Sequence, residues 1–214
     1  MIRKFIQTAY DALIRQWLPR KIVVHNGVAT RSGRLFDVTD VKPDYEVSLV
    51  AAMREQIEAG DDVVIVGGGY GVSAVVARRY AGRNGSVTVY EGAASQISTI
   101  EETLSLNESS DGVTVNHAIV GDGQNVWEED TGAPRLSPTE IPSCDILALD
   151  CEGSEVEIIE KSNLPKTVIV ETHGVFDAPT AKTRQLLIDK GFSITEDRIE
   201  IEEEDVHVLT AVQA

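Results

Sequence analysis

The stretch DILALDCEGSE, residues 145–155, begins as an apolar run and then sets three carboxylates, Asp150, Glu152 and Glu155, around Gly153. A carboxylate at the end of a buried strand can hold the positive end of a ligand, orient a hydroxyl or accept its proton. A second group lies in DVVIVGGGYGVSA, residues 62–74, where Gly67, Gly68, Gly69 and Gly71 follow an apolar run and precede a helical pattern. Glycines there let the backbone turn tightly and bring a nucleotide-like ligand to a helix N-terminus; a tight turn without ligand is the plainer alternative. Glu91 lies twenty residues beyond Gly71, at the end of SVTVYE, where an acid can accept hydrogen bonds from both ribose hydroxyls. In a chain this acidic it could equally be an exposed strand-end glutamate. His173 closes VIVETH, and a side chain with an ordinary pKa of about 6.5 suits a general base, although a histidine bonded to backbone would occupy the same place. Asp150, Glu152, Glu171 and His173 could together assist with a metal, but no octahedral oxygen set can be read from their spacing and no metal is expected. His25 and His207 read as surface or packing residues.

Positioning these groups is the task of alternating strands and helices. DVVIVG, SVTVYE, VTVNHAIV, CDILALD and TVIVETH read as buried strands, and segments near 72–81, 93–106, 154–162 and 179–190 as helices. That alternation predicts a parallel sheet covered on both faces. A helical pattern from about Tyr45 to Ala59 ends at Gly60, a plausible C-terminal cap. FSITEDRIEIE and VHVLTAVQA are separated only by a short acidic link, too short for a helical crossover, so they should pair antiparallel. Ser154 and Glu157 have the spacing of a capping box, which places Asp150 at the strand end, Glu152 and Gly153 in the turn, and Glu155 in the first helical turn. The helix dipole favours an acid there by a few tenths to about 1 kcal/mol, so Glu155 has a structural reading as strong as its chemical one. In such sheets ligands bind outside the carboxyl ends of the strands, so the glycine turn, Glu91, Asp150 and His173 should share one rim. Residues 121–143 form a long polar loop, a length often associated with function.

Ahead of the sheet, Ile2, Phe5, Ile6, Ala9, Leu13 and Trp17 form one apolar stripe at helical spacing, flanked by Arg3, Lys4, Arg15, Arg20 and Lys21. This basic helix is expected to pack on its own domain, with a peripheral membrane or partner contact as the alternative. The alternation around Asn26-Gly27 predicts a β-hairpin. Residues 1–44 thus form a helix-plus-hairpin extension, and 45–214 one α/β domain, a doubly wound, mostly parallel seven-stranded sheet with an antiparallel C-terminal strand.

The chain has 35 acidic and 19 basic residues and a formal charge of −16. Such a surface argues against nucleic acid as a partner and suggests adaptation to high salt. Cys144 and Cys151 would lie roughly 20 Å apart on one extended strand, so no local disulfide is expected. Nothing in the sequence resembles a signal peptide or an apolar run long enough to cross a bilayer, and the reducing cytoplasm is the expected location.

The glycine turn and Glu91 fit either a dinucleotide or S-adenosylmethionine, since GYGVSA also matches a G-x-G-x-x-A fingerprint. With DILALDCEGSE, which is close to an Asp-x-Glu-Gly-x-Glu signature after the fourth strand, with VIVETHG for the fifth, and with LFDV, LSLN and VNHAIVGDG in matching order, the sequence resembles the FkbM-type methyltransferases over about residues 34–212. The resemblance implies a class I Rossmann-like fold with an antiparallel last strand, S-adenosylmethionine as cofactor, and methylation of an oxygen on a saccharide, glycoconjugate or other hydroxyl-bearing small molecule. It implies cofactor binding by Gly67, Gly69, Tyr70, Gly71, Glu91 and Asp150, with the adenine near His117 and Ala118. Where that family carries an acid two residues before the first loop glycine, this chain has Ile65, which removes one grip on the cofactor's amino group. Methyl transfer is an in-line displacement that depends on holding donor and acceptor in near-attack geometry, and Asp150 and His173 are the expected catalytic pair. A NAD(P)- or flavin-dependent oxidoreductase and a non-catalytic nucleotide-binding module are the alternatives.

Overall fold

The computed structural model describes residues 14–121, 132–176 and 178–213. The apolar stripe over residues 1–13 and most of the polar loop after Gly121 lie outside them. The described part of the expected N-terminal helix, Arg15–Trp17, is a single 3₁₀ turn with Trp17 80% exposed. It ends there because Leu18, which precedes Pro19, is extended (φ −81°, ψ 149°), as residues before proline tend to be. Strands β1 (Arg20–His25) and β2 (Val28–Arg34) pair antiparallel, and β3 (Val41–Lys42) joins β1 in parallel. The hairpin turn holds Asn26 and Gly27 at φ 46° and 83°, the two left-handed residues that a twist-matched two-residue turn requires.

Helix α1 (Val47–Gln56) is shorter than its sequence pattern. Ile57 turns extended and buries its side chain, while Gly60 donates its N–H to the Ala81 carbonyl instead of capping the helix. The alternating part follows: β4 (Asp62–Val66), α2 (Val72–Ala81), β5 (Ser86–Glu91), α3 (Ala94–Leu106), β6 (Val113–His117), β7 (Ile119–Val120), β8 (Arg135–Leu136), β9 (Ile146–Leu149), α4 (Glu155–Lys161), β10 (Thr167–Glu171), α5 (Thr180–Asp189), β11 (Phe192–Ile201) and β12 (Val206–Gln213). VTVNHAIV is therefore not one strand. It breaks at Ala118, whose N–H donates to the Glu91 carbonyl, and β7 leaves the main sheet to pair with β8.

The main sheet has seven strands in the order β11-β12-β10-β9-β4-β5-β6. All neighbours from β10 to β6 are parallel, and β12 runs antiparallel between β10 and β11. Alternation along the strands divides the core. Val63, Ile65, Val87, Val89, Ile146 and Ala148 pack with α1, α2 and α3 on one face. Val64, Val66, Leu147, Leu149, Val168 and Val170 pack with α4 and α5 on the other. Both faces are thus covered, which is why these strands are continuously apolar.

The N-terminal hairpin is fastened to the sheet domain by Asn107 at the end of α3. Its Oδ1 accepts from the Ala29 N–H at 3.2 Å and its Nδ2 donates to the Ala29 carbonyl at 2.7 Å. Among the described residues no helix is long and apolar enough to cross a membrane.

Candidate active site

Strands β4 and β9 lie side by side where the sheet's connections reverse direction, the place where open α/β sheets leave a crevice. Just past their ends, the Asp150 N–H donates to the Val66 carbonyl at 2.9 Å. Gly67 has φ +92°, and a Cβ there would lie 1.7 Å from the Asp150 carbonyl oxygen, so only glycine lets the two strand ends approach. The Gly68 and Gly69 N–H groups donate to Glu91 Oε2 at 2.9 and 3.2 Å, and the Ala93 N–H to Oε1 at 2.8 Å. Glu91 therefore ties the glycine turn to the end of β5. Around these groups lies a cleft of about 330 Å³, walled by the glycine turn, Tyr70, Glu91, Ala118 and Asp150, with Tyr45 and Glu46 closing one side. That volume lies at the small end of the range for small-molecule sites.

Behind Asp150 stands His173, beyond the end of β10. Its Nε2 lies 3.6 Å from Asp150 Oδ1 and 3.5 Å from Glu171 Oε1, while Nδ1 is 3.0 Å from Glu155 Oε1. Glu155 is fully buried and accepts from the Cys151 and Gly153 N–H groups at 3.1 and 2.7 Å. It thus holds the turn ahead of α4, while the expected capping box does not form. Ser154 makes no side-chain capping bond, and Glu157 pairs with Lys161 instead. Glu155 is positioned by the turn and in turn positions His173, so its structural and chemical readings describe one arrangement.

No family model matches the sequence, and no curated protein is significantly similar to it. Solved structures do match. A ribosomal protein L11 methylase from Lactobacillus delbrueckii subsp. bulgaricus superposes with a TM-score of 0.57 at 13% identity, covering 84% of this chain and 87% of that one. A SAM-dependent O-methyltransferase from Thermotoga maritima gives 0.54 at 16% identity, over 92% and 78% of the two chains. Fibrillarin from Aeropyrum pernix, in complex with natively bound S-adenosyl-L-methionine, gives 0.52 at 14%, over 90% and 82%. The chain shares its Rossmann-like fold with these methyltransferases.

Within that fold the expected site residues separate into three groups. Gly67, Gly69, Tyr70, Glu91, Ala118 and Asp150 line the cleft together. Gly71 (φ +80°) caps α2 behind the turn, against Ile100, and His117 bonds the Gly92 carbonyl at 3.1 Å beside the cleft. Neither is part of the cleft wall. His173 is brought to the site, but behind Asp150. Glu152, held at φ 52°, sits at the rim, so three of the four residues named for a metal converge while Glu152 remains apart. Ile65 is buried in the core. Sequence reasoning missed Tyr45 and Glu46, whose one available signal was an aromatic-acid pair just ahead of a helix.

The local electrostatics follow from crowded, half-buried acid. Burial, then the carboxylates of Glu171 and Glu46, push the Asp150 carboxyl well above its ordinary range. Glu46 rises to about 7, chiefly through burial, with Glu171 and Glu200 adding to it against a bond from Tyr45. For His173 burial acts downward, but Glu155, Glu171 and Asp150 outweigh it and lift the imidazole to about 10. Glu155 shows the converse: burial acts upward and the bond to His173 prevails, holding it low.

Proposed function

We propose that this protein is an S-adenosylmethionine-dependent methyltransferase of the FkbM type, transferring the methyl group to an oxygen of a saccharide or other hydroxyl-bearing small molecule. The carrying observation is that the glycine turn, Glu91 and Asp150 converge on one cleft at the β4–β9 reversal. The fold of the solved methyltransferases supports the activity, and the DCEGSE turn and its resemblance support the type and the acceptor class. The glycine turn and Tyr70 receive the adenosyl moiety, Glu91 faces the ribose, and Ala118 borders the adenine. Asp150 takes the acceptor side, holding the hydroxyl and receiving its proton, because it lines the cleft and His173 does not. His173 supports it from behind as a positioning residue. The oxidoreductase alternative draws no support from a sheet in which β12 is inserted antiparallel.

Calorimetric titration with S-adenosylhomocysteine in high salt tests cofactor binding. One site per chain is expected, and absence of heat at high protein concentration would overturn the proposal. Affinity in the millimolar range or weaker would favour the non-catalytic module, with Ile65 as its cause. Once an acceptor is found, Asp150→Asn should lower turnover by about 10²-fold or more with cofactor affinity nearly intact. His173→Ala should do the same through displacement of Asp150.

A further inference from the structure

Asp150, Glu171 and His173 each offer one ligand atom, and the three atoms lie within 4.8 Å of one another. From His173 Nε2 the two carboxylate oxygens are 3.5 and 3.6 Å away. Ligand atoms around a divalent ion with bonds of about 2.0–2.2 Å are spaced at roughly 3–3.5 Å when adjacent, so closure needs only small side-chain adjustments. A second observation points independently to a ligand. Glu171 is only 8% exposed, and among the described residues its Oε2 has no hydrogen-bond partner. A buried carboxylate oxygen without a donor is costly unless something cationic meets it. Glu155, itself fully buried and locked by two backbone N–H groups, accepts from His173 Nδ1 at 3.0 Å. That bond keeps a proton on Nδ1, so an ion that displaces the Nε2 proton meets a lone pair facing Asp150 and Glu171, the carboxylate–histidine arrangement that supports metal-bound imidazoles.

We propose that Asp150, Glu171 and His173 bind one divalent first-row metal ion, with Glu155 orienting the histidine. Two carboxylates and one imidazole suit manganese or a similar ion of mixed oxygen and nitrogen preference. The ion sits at the edge of the cleft, because Asp150 belongs to both, and from there it would polarise an acceptor oxygen entering the cleft. The site rests on this side-chain geometry and not on the methyl-transfer reading, so either can fail without the other.

The test is titration of Mn²⁺ into chelator-stripped full-length protein, followed by calorimetry and by the electron paramagnetic resonance signal of free Mn²⁺. High salt suppresses diffuse binding to the acidic surface. One ion per chain is expected, with affinity at least about 10-fold weaker in Glu171→Gln and His173→Ala, and about 10- to 100-fold weaker in Glu155→Gln. Glu160→Gln, an exposed glutamate of α4, is the control and should bind as the parent does. Circular dichroism confirms that each variant is folded, and the near-isosteric Glu171→Gln decides the matter if the others are not. Absence of a stoichiometric site for Mn²⁺, or a site unchanged in a folded Glu171→Gln, would overturn the proposal.

Discussion

At the scale of single residues, Gly67 carries the tightest constraint. Its backbone is left-handed, and the space a side chain would need is occupied by the Asp150 carbonyl. Gly67→Ala should therefore cost about 3 kcal/mol or more, as strain and overpacking combined, measured as a lower denaturant midpoint together with weaker S-adenosylhomocysteine binding. His25 makes a different kind of prediction. It is 1% exposed, its Nε2 lies 3.0 Å from Ser32 Oγ, and burial, with the Lys42 charge adding to it, lowers its pKa to about 4. The folded state thus keeps His25 neutral while the unfolded chain protonates near its ordinary value. The resulting stability is complete above about pH 6.5 and is lost as pH falls through about 4. Urea midpoints should drop over that window, and His25→Phe should flatten the drop; a slope identical in the variant would assign the acid loss to other groups. What was legible at this scale was local: the Asn26-Gly27 turn and the glycines after β4 announce left-handed backbone because few other residues tolerate it. The Glu155–His173 bond was not legible. It joins residues 18 apart through the docking of α4 against β10, and nothing in either segment alone requires it.

Among the elements, helix ends were read less well than helix cores for a physical reason. Apolar periodicity reports what a helix buries, whereas its ends are set by whichever groups reach the free amides and carbonyls. Helix α1 shows this: its first amides, those of Val47 and Ser48, donate to the carboxylate of Glu200 on β11, a partner about 150 positions away. Helix α4 shows it again: the expected Ser154 cap does not form, and Glu155 in its first turn serves the Cys151 and Gly153 amides ahead of it. Most strand identities and the antiparallel closing hairpin were legible because buried apolar runs and a short link leave few topologies, but the break at Ala118 within VTVNHAIV was not. Asn107 helps dock the N-terminal hairpin, its side chain making two bonds to Ala29, one to the Thr103 carbonyl and one with Arg79, beside the Arg20 and Arg31 ion pairs to Glu102. Asn107→Ala should cost about 1–3 kcal/mol. Hydrogen exchange at the Ala29 amide should accelerate while that of β4 stays slow, and equal acceleration in both would mean that the hairpin and sheet unfold as one unit.

For the whole molecule, negative charge should govern how stability responds to the solvent. A formal charge of −16, with Glu202, Glu203, Glu204 and Asp205 consecutive at the tip of the β11–β12 hairpin, leaves most of the surface repelling itself at low ionic strength. Molar salt shortens the screening length to about 3 Å, so the melting midpoint should rise by about 5 °C or more between low and molar potassium chloride. A flat midpoint would refute adaptation to salt. One last consequence comes from the rings of His25, Tyr45 and Tyr70, whose centroids lie 4.4 to 5.9 Å apart. The first belongs to the hairpin and the other two border the cleft. A chain trimmed to begin at Tyr45 would lose the support behind both tyrosines, and the mouth of the cleft should collapse.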